Sequence, residues 1–236
     1  DIKSLLDNFT GAYPGLAKDA AYVIPGKNSI VSASQINKLF NLIESAPYSA
    51  KSRVFITSQG TIPNLKASAG ADAQCQSFAN SADLNGKWMA WLSDGDVSGG
   101  KSVSERFYRN PNGYILLNDT LLADSWDDLV TNGIKNKINV TENKTTIPSP
   151  AFVWSNTLMN GDRIYNKRSG TCDNWNTTDY ANDKADAGAG WYGSIGDVSN
   201  PYRSSWTSAA NSPAWCNQPR NWPHLYCFEQ FTNVLQ

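Results

Sequence analysis

RVFITSQGTIPNLKASAGADAQCQSFANSADL, residues 53–84, contains two different periodicities, and the change between them sets the fold class. RVFITS alternates apolar and polar side chains like a half-buried strand. After a loop containing Gly, Pro and Ser, the segment 71–84 places Ala71, Cys75, Phe78, Ala79 and Ala82 on one face of a helix, so Cys75 belongs to an amphipathic helix. Downstream, short strand-like runs at 87–92, 114–117, 152–155 and 225–228 are separated by long polar stretches rich in Gly, Asn and Asp. The pattern is loop-rich α+β. Its extreme is the segment 170–223, because so long a loop region in a compact domain is functional or stapled.

Upstream of residue 53 the reading is helical. Ile2, Leu5, Leu6 and Phe9 recur at helical spacing. A second helix is announced by Ser32 with Gln35 three residues on, followed by the stripe Ile36, Leu39, Phe40 and Ile43. The expected organisation is a helical N-terminal segment over 1–51 and a main domain over 52–236. Docking of these short helices on a packing partner is the expectation, since isolated short helices are marginal.

Composition excludes several classes of function. The 236 residues carry 20 Lys+Arg against 21 Asp+Glu, and 17% of residues are charged, so no strong field draws the chain to phosphate backbones. A nucleic-acid partner is not expected. With 40% hydrophobic residues, nine Trp and ten Tyr, the chain has the material for a core. No stretch reaches the roughly 18 apolar residues of a membrane span. It opens at Asp1 with no basic and apolar leader pattern, and the expectation is that a leader has been removed. Five N-x-S/T sequons, at Asn8, Asn118, Asn139, Asn143 and Asn176, are about the number that chance supplies in so Asn-rich a chain.

The four cysteines, Cys75, Cys172, Cys216 and Cys227, lack CxxC spacing, and His224 is the single histidine, so a Cys/His zinc site is not expected. Two disulfides are, with three pairings open. They imply an oxidising compartment: secreted, periplasmic or cell-surface.

Taken in order, ADAQC (71–75), WLSDG (91–95), SWDDL (125–129), VWSNT (153–157), CDNW (172–175) and LYCFEQ (225–230) form a series. Through it, the chain from about residue 53 to 230 resembles a bacterial family of secreted proteins and lipoproteins of uncharacterised function, whose fold is C-type-lectin-like and close to endostatin. The resemblance implies Cys75 paired with Cys227 and Cys172 paired with Cys216. It also implies a C-type-lectin-like domain holding long loops on a stapled scaffold.

The calcium-site tripeptides usual in that fold are missing. Asn217-Gln218-Pro219-Arg220 puts Arg where an oxygen ligand belongs, and Cys172-Asp173-Asn174-Trp175 has the wrong order. Asp173, Asn174, Asp179, Asp183, Asp186 and Asp197 could give a calcium ion its six to eight oxygens, yet solvated acids capping turns are the commoner explanation. No metal or cofactor is expected. Asp94 and Asp96 in SDGD read first as a turn.

Six of the nine Trp lie after residue 150, interleaved with Asn, Asp, Ser and Arg. Flat rings beside amides and carboxylates suit sugar rings or a protein hot spot. Trp154, Trp175 and Trp215 read as core. The candidate ligand-binding residues are Trp191, Tyr192, Tyr202, Trp206, Asn174 and Asp197. No Gly-x-Ser-x-Gly elbow, phosphate loop or HExxH occurs. His224 reads as a packed residue, and Glu229 as a buried acid that ties loops together.

These readings lead to a secreted or surface bacterial binding or adhesion protein, not an enzyme. It would recognise a host or environmental protein or glycan through aromatic-rich loops, in the manner of a virulence-associated factor. The alternatives are a secreted hydrolase using loop carboxylates and a structural envelope protein.

Overall fold

The computed structural model describes residues 50–95, 98–147, 151–164, 171–176, 189–190, 192–194, 206–207, 214–215 and 223–231. The chain divides into two units, 1–50 and 51–236. The expected N-terminal helices lie outside the described residues.

The second unit is α+β. Strand β1 (Ser52–Ile56) is followed by helix α1 (Ala67–Ser81), β2 (Lys87–Ala90), the short helix α2 (Val103–Arg106), β3 (Tyr114–Leu116), β4 (Leu121–Ala123) and helix α3 (Trp126–Asn132). Then come β5 (Phe152–Trp154), the single turn α4 (Cys172–Trp175), β6 (Ala189–Gly190), β7 (Tyr192–Ser194), β8 (Ala214–Trp215) and β9 (Tyr226–Gln230). The main sheet has the order β2-β9-β1-β3-β4. β9 runs antiparallel to both β2 and β1, while β1 pairs parallel with β3. Two two-stranded sheets, β5-β7 and β6-β8, are formed by strands that fall between β4 and β9 in the chain.

The alternation expected in RVFITS is not what the sheet uses. Val54, Phe55 and Ile56 are all fully buried, because both faces of the sheet are covered. The pleat of β9 sorts the coverage. Cys227 lies opposite Phe55 and Ala90 on the face that meets α1, while Phe228 lies opposite Val54 and Met89 on the other face. There Phe228 touches Trp91, Phe107 and Tyr114 at centroid distances of 5.1, 5.7 and 5.7 Å. Trp91 extends the aromatic layer to Trp206 at 4.9 Å and Trp126 at 6.0 Å.

Helix α1 begins four residues before the apolar periodicity does. Gly70 permits this start: a Cβ there would sit 1.5 Å from the Leu65 carbonyl oxygen. The cap comes from a distant residue, Asp94, whose Oδ1 accepts from the Ser68 amide at 2.7 Å. Helix α3 has local signals instead. Ser125 accepts from the Asp128 amide at its N-terminus, and Gly133, at φ 82°, closes it.

Both edges of the main sheet are closed. Along β2, Gln76 Oε1 accepts from the Trp88 amide at 2.9 Å and Asp72 Oδ1 from the Ala90 amide at 2.8 Å, while Gln76 Nε2 donates to the Gly86 carbonyl. Two side chains one helical turn apart therefore take the place of a neighbouring strand. Along β4, the Lys135 amide donates to the Leu122 carbonyl and Asn136 Nδ2 to the Leu121 carbonyl.

The Cys75–Cys227 disulfide is formed and joins α1 to the interior strand β9 across 152 residues of sequence. One disulfide is described, not two. No described cysteine is free, and Cys172 is buried, but its expected partner, Cys216, lies outside the described residues. Replacing Cys75 and Cys227 together with alanine is expected to lower unfolding free energy by about 3–5 kcal/mol, the range for closing so long a loop. Urea unfolding followed by Trp fluorescence measures it.

Candidate functional site

The motif WLSDG holds the residues around which the later segments are arranged. Trp91, Leu92, Ser93 and Asp94 are all buried. Asp94 does close a turn, as SDGD suggested: its amide donates to the Lys101 carbonyl, and Lys101 N–H returns a bond to Oδ2 at 3.0 Å. The same carboxylate binds the Ser68 amide and the Ser68 hydroxyl. A surface turn acid would be solvated, whereas this one is 5% exposed and has three protein donors. Asp96, its companion in the motif, lies outside the described residues.

Around it runs a chain of buried hydroxyl and amide groups. Ser93 Oγ meets Thr157 Oγ1 at 2.9 Å, and Thr207 Oγ1 meets Ser155 Oγ at 3.1 Å. Thr207 Oγ1 also accepts from Trp91 Nε1 at 2.7 Å and donates to the Thr157 carbonyl. Asn156, at φ 50°, donates to the Ser93 carbonyl. These groups link WLSDG, VWSNT and the turn at 206–207 into one buried polar network.

CDNW forms a single left-handed helical turn. Cys172, Asp173, Asn174 and Trp175 all have φ between 49° and 62°, and bonds from Trp175 N to Thr171 O and from Asn176 N to Cys172 O close it. Left-handed helical backbone costs roughly 1–2 kcal/mol per non-glycine residue, so other contacts must hold the turn. Asn174 Oδ1 accepts from the Gly95 amide at 2.7 Å, Trp175 Nε1 donates to the Ser93 carbonyl at 3.0 Å, and the Trp175 carbonyl accepts from the Lys66 amide. Trp175 also packs edge-on against Trp154 at 5.8 Å.

Three described parts of the long segment 165–222 are thus each fixed at their own point, while Ala189–Gly190 and Ala214–Trp215 pair with each other. Residues 171–176 are held by Ser93 and Gly95, residues 206–207 by Trp91, Ser155 and Thr157, and Tyr192–Ser194 by pairing with β5.

The structure sorts the candidate ligand contacts. Trp206 is corrected: at 1% exposure it is a core side chain against Trp91 and Tyr226, not a surface platform. Its Nε1 has no partner among the described residues. Asn174 is corrected likewise, since its amide oxygen is spent on Gly95 inside the fold. Tyr192 opposes Trp154 in the β5-β7 pair. Trp191, Tyr202 and Asp197 lie outside the described residues. Trp154 and Trp175 are fully buried, as expected of them. Of Trp215, only its place in β8 is described.

The ionisable groups are arranged as structural ties. Glu229 accepts from the Arg53 amide, Nε and Nη2, the last at 2.6 Å, which is the tying role expected of it. Among the described residues, Asp72 is the one acid whose carboxyl is driven upward, first by burial and with Asp94 adding to it, while Arg106 opposes both. Both Asp72 oxygens are occupied, by the Ala90 amide and by Arg106 Nη1. Glu142 is buried and accepts from the Ser58 amide and from Asn143. His224 is half-buried, with Nδ1–H donating to the Thr57 carbonyl at 2.6 Å, as a packed histidine does. No group of three or more His, Cys, Asp or Glu is placed to hold a metal among the described residues, and no helix among them is long and apolar enough to cross a membrane.

No protein-family model matches the chain, and no curated protein matches it.

Asp94→Ala would leave the Ser68 amide, the Ser68 hydroxyl and the Lys101 amide without their acceptor. At about 1–3 kcal/mol per buried orphan, a loss of at least ~3 kcal/mol is expected in chemical denaturation. His224 gives a pH prediction. Burial holds its imidazole below the ordinary value of 6.5, against the pull of the Thr57 carbonyl and Glu142. The fold therefore favours neutral His224: its contribution is complete above the unfolded value and is lost as pH falls through that value toward the lower folded one. Melting temperature should drop between neutral pH and pH near 5, with a shallower slope in His224→Asn.

Proposed function

We propose that this chain is a secreted or surface-exposed bacterial binding protein with a C-type-lectin-like domain, which recognises a protein or glycan without catalysing a reaction on it. The observation that carries this reading is the buried network of Trp91, Ser93, Gly95, Ser155 and Thr157, whose polar atoms fix residues 171–176 and 206–207 of the segment 165–222. A scaffold that commits its buried polar groups to holding loops is built for presenting those loops, and loops on rigid scaffolds carry recognition. Asp72, Asp94, Glu142, Glu229 and His224 are likewise engaged in fold-stabilising bonds, which favours binding over hydrolysis by these carboxylates.

In this reading the second disulfide is Cys172–Cys216, a clamp from the left-handed turn into the same segment, and the two disulfides suit an extracytoplasmic compartment. The contact residues are Trp191, Tyr192, Tyr202 and Asp197, with Trp206 and Asn174 withdrawn to supporting roles. Aromatic side chains among amides and hydroxyls offer stacking area with polar groups to fix orientation.

The test is a glycan-array screen of the oxidised chain, with calcium and with chelator, followed by capture of labelled extracellular proteins on the same material. A Trp191→Ala, Tyr202→Ala double variant runs alongside. Saturable binding that falls at least tenfold in the variant is expected, with an unchanged melting temperature. Binding retained in full by the variant, or turnover of a captured ligand, would overturn the reading.

A further inference from the structure

The chain contains four Asn-Gly dipeptides, at 85–86, 112–113, 132–133 and 160–161. In such a pair the glycine amide nitrogen, once deprotonated, can attack the asparagine side-chain carbonyl. A C–N bond forms, ammonia leaves, and water then opens the cyclic imide to aspartate or isoaspartate. The step needs an unengaged glycine N–H, a free carboxamide, and stabilisation of the amidate, whose negative charge lies largely on the asparagine main-chain carbonyl oxygen.

Three of the pairs are guarded. Gly133 N–H donates to the Leu129 carbonyl, and Asn132 Nδ2 is held by Asp128. Gly161 N–H donates to the Leu158 carbonyl, and both ends of the Asn160 carboxamide bond Asp162. Asn112 has a cation on its main-chain carbonyl, Lys51 Nζ at 2.9 Å, but its own Nδ2 is buried. Gly113 is also buried, where even a Cβ would lie 2.3 Å from the Ala123 carbonyl oxygen.

Asn85-Gly86 meets all three requirements. Both residues are exposed, neither the Asn85 carboxamide nor the Gly86 N–H has a hydrogen-bond partner among the described residues, and Gly86 sits at φ 107° just before β2. The Asn85 carbonyl oxygen accepts from Arg53 Nη2 at 2.6 Å and from Trp88 Nε1 at 3.3 Å. Arg53 is itself positioned by its fork onto Glu229 and lies over the Trp88 ring, 5.3 Å from the centroid. A fixed guanidinium and an indole N–H aimed at one peptide oxygen form an oxyanion hole for the amidate.

We propose that Asn85-Gly86 is a self-modifying site, at which Arg53 and Trp88 promote imide formation and conversion of Asn85 to aspartate or isoaspartate. The product places a new carboxylate beside Arg53, and the isoaspartate form adds a methylene to the backbone where Gly86 already abuts Glu229.

The experiment is timed incubation of the folded full chain in mildly alkaline buffer, then digestion at low pH and peptide mass spectrometry, with isoaspartate scored by enzymatic methyl acceptance. Asn85 should convert several-fold faster than Asn112, Asn132 and Asn160 in the folded chain, and its lead should shrink in urea. Arg53→Met separates the oxyanion role from simple exposure, since it removes the charge while loosening the turn. The Asn85 rate should fall several-fold in that variant and partly recover in Arg53→Lys. Equal folded-state rates at the four sites, or an unchanged or faster Asn85 rate in Arg53→Met, would overturn the proposal.

Discussion

The carboxylate of Asp94 is the interaction on which the rest of this domain depends. With two oxygens it accepts from the first turn of α1, from the Ser68 hydroxyl and from the far side of its own loop. A buried carboxylate is tolerated only when its hydrogen-bonding capacity is filled, and here the donors come from segments that have no other reason to meet. Fixing Asp94 fixes the carbonyl of Ser93 and the amide of Gly95. Those two groups in turn receive Trp175 and Asn174 from the left-handed turn. The order of dependence runs from one acid to a helix start, and from there to a strained turn about eighty residues away in sequence.

Strain and satisfaction are balanced in the same small volume. Lys66, Ala67, Asn156 and Cys172 to Trp175 all adopt positive φ without glycine's freedom, and they lie in segments bonded to residues 93–95. Such backbone persists where surrounding bonds over-determine it, and these bonds are buried, where leaving one unmade is expensive. The aromatic layer of Trp91, Phe107, Trp126, Trp206 and Phe228 keeps water from competing for them.

The α+β class, the positions of β1, β2, β3, β5 and β9, and the burial of Trp154 were legible because each rests on local periodicity or on neighbouring apolar residues. The start of α1 was not, because its cap is supplied by Asp94, 26 residues from Ser68, and no local pattern encodes a remote acceptor. The complete burial of Val54, Phe55 and Ile56 escaped for a related reason: alternation reports one covered face, and this sheet has two. Trp206 sits in a stretch of Ser, Tyr and Thr that reads as surface, and only its contacts with Trp91 and Tyr226 place it inside. The left-handed turn at CDNW had only a weak signal: Asp173 and Asn174 visit positive φ more readily than other non-glycine residues, but Cys172 and Trp175 do not. The role of Asn85 depends on Arg53 and Trp88 converging on one oxygen, which is a fact of space.

The position of β9 has a consequence for how the protein is made. This strand lies between β2 and β1, yet its residues, 226–230, are synthesised after those of every other strand in the sheet. Until they leave the ribosome, β1 and β2 lack the neighbour that joins them, and Cys75 lacks the thiol with which it pairs. The sheet is therefore completed only after translation of the domain, by a contact of very long sequence separation, and such contacts form slowly. In a nascent chain held open in this way, the covalent staple between Cys75 and Cys227 can close only once β9 has been made.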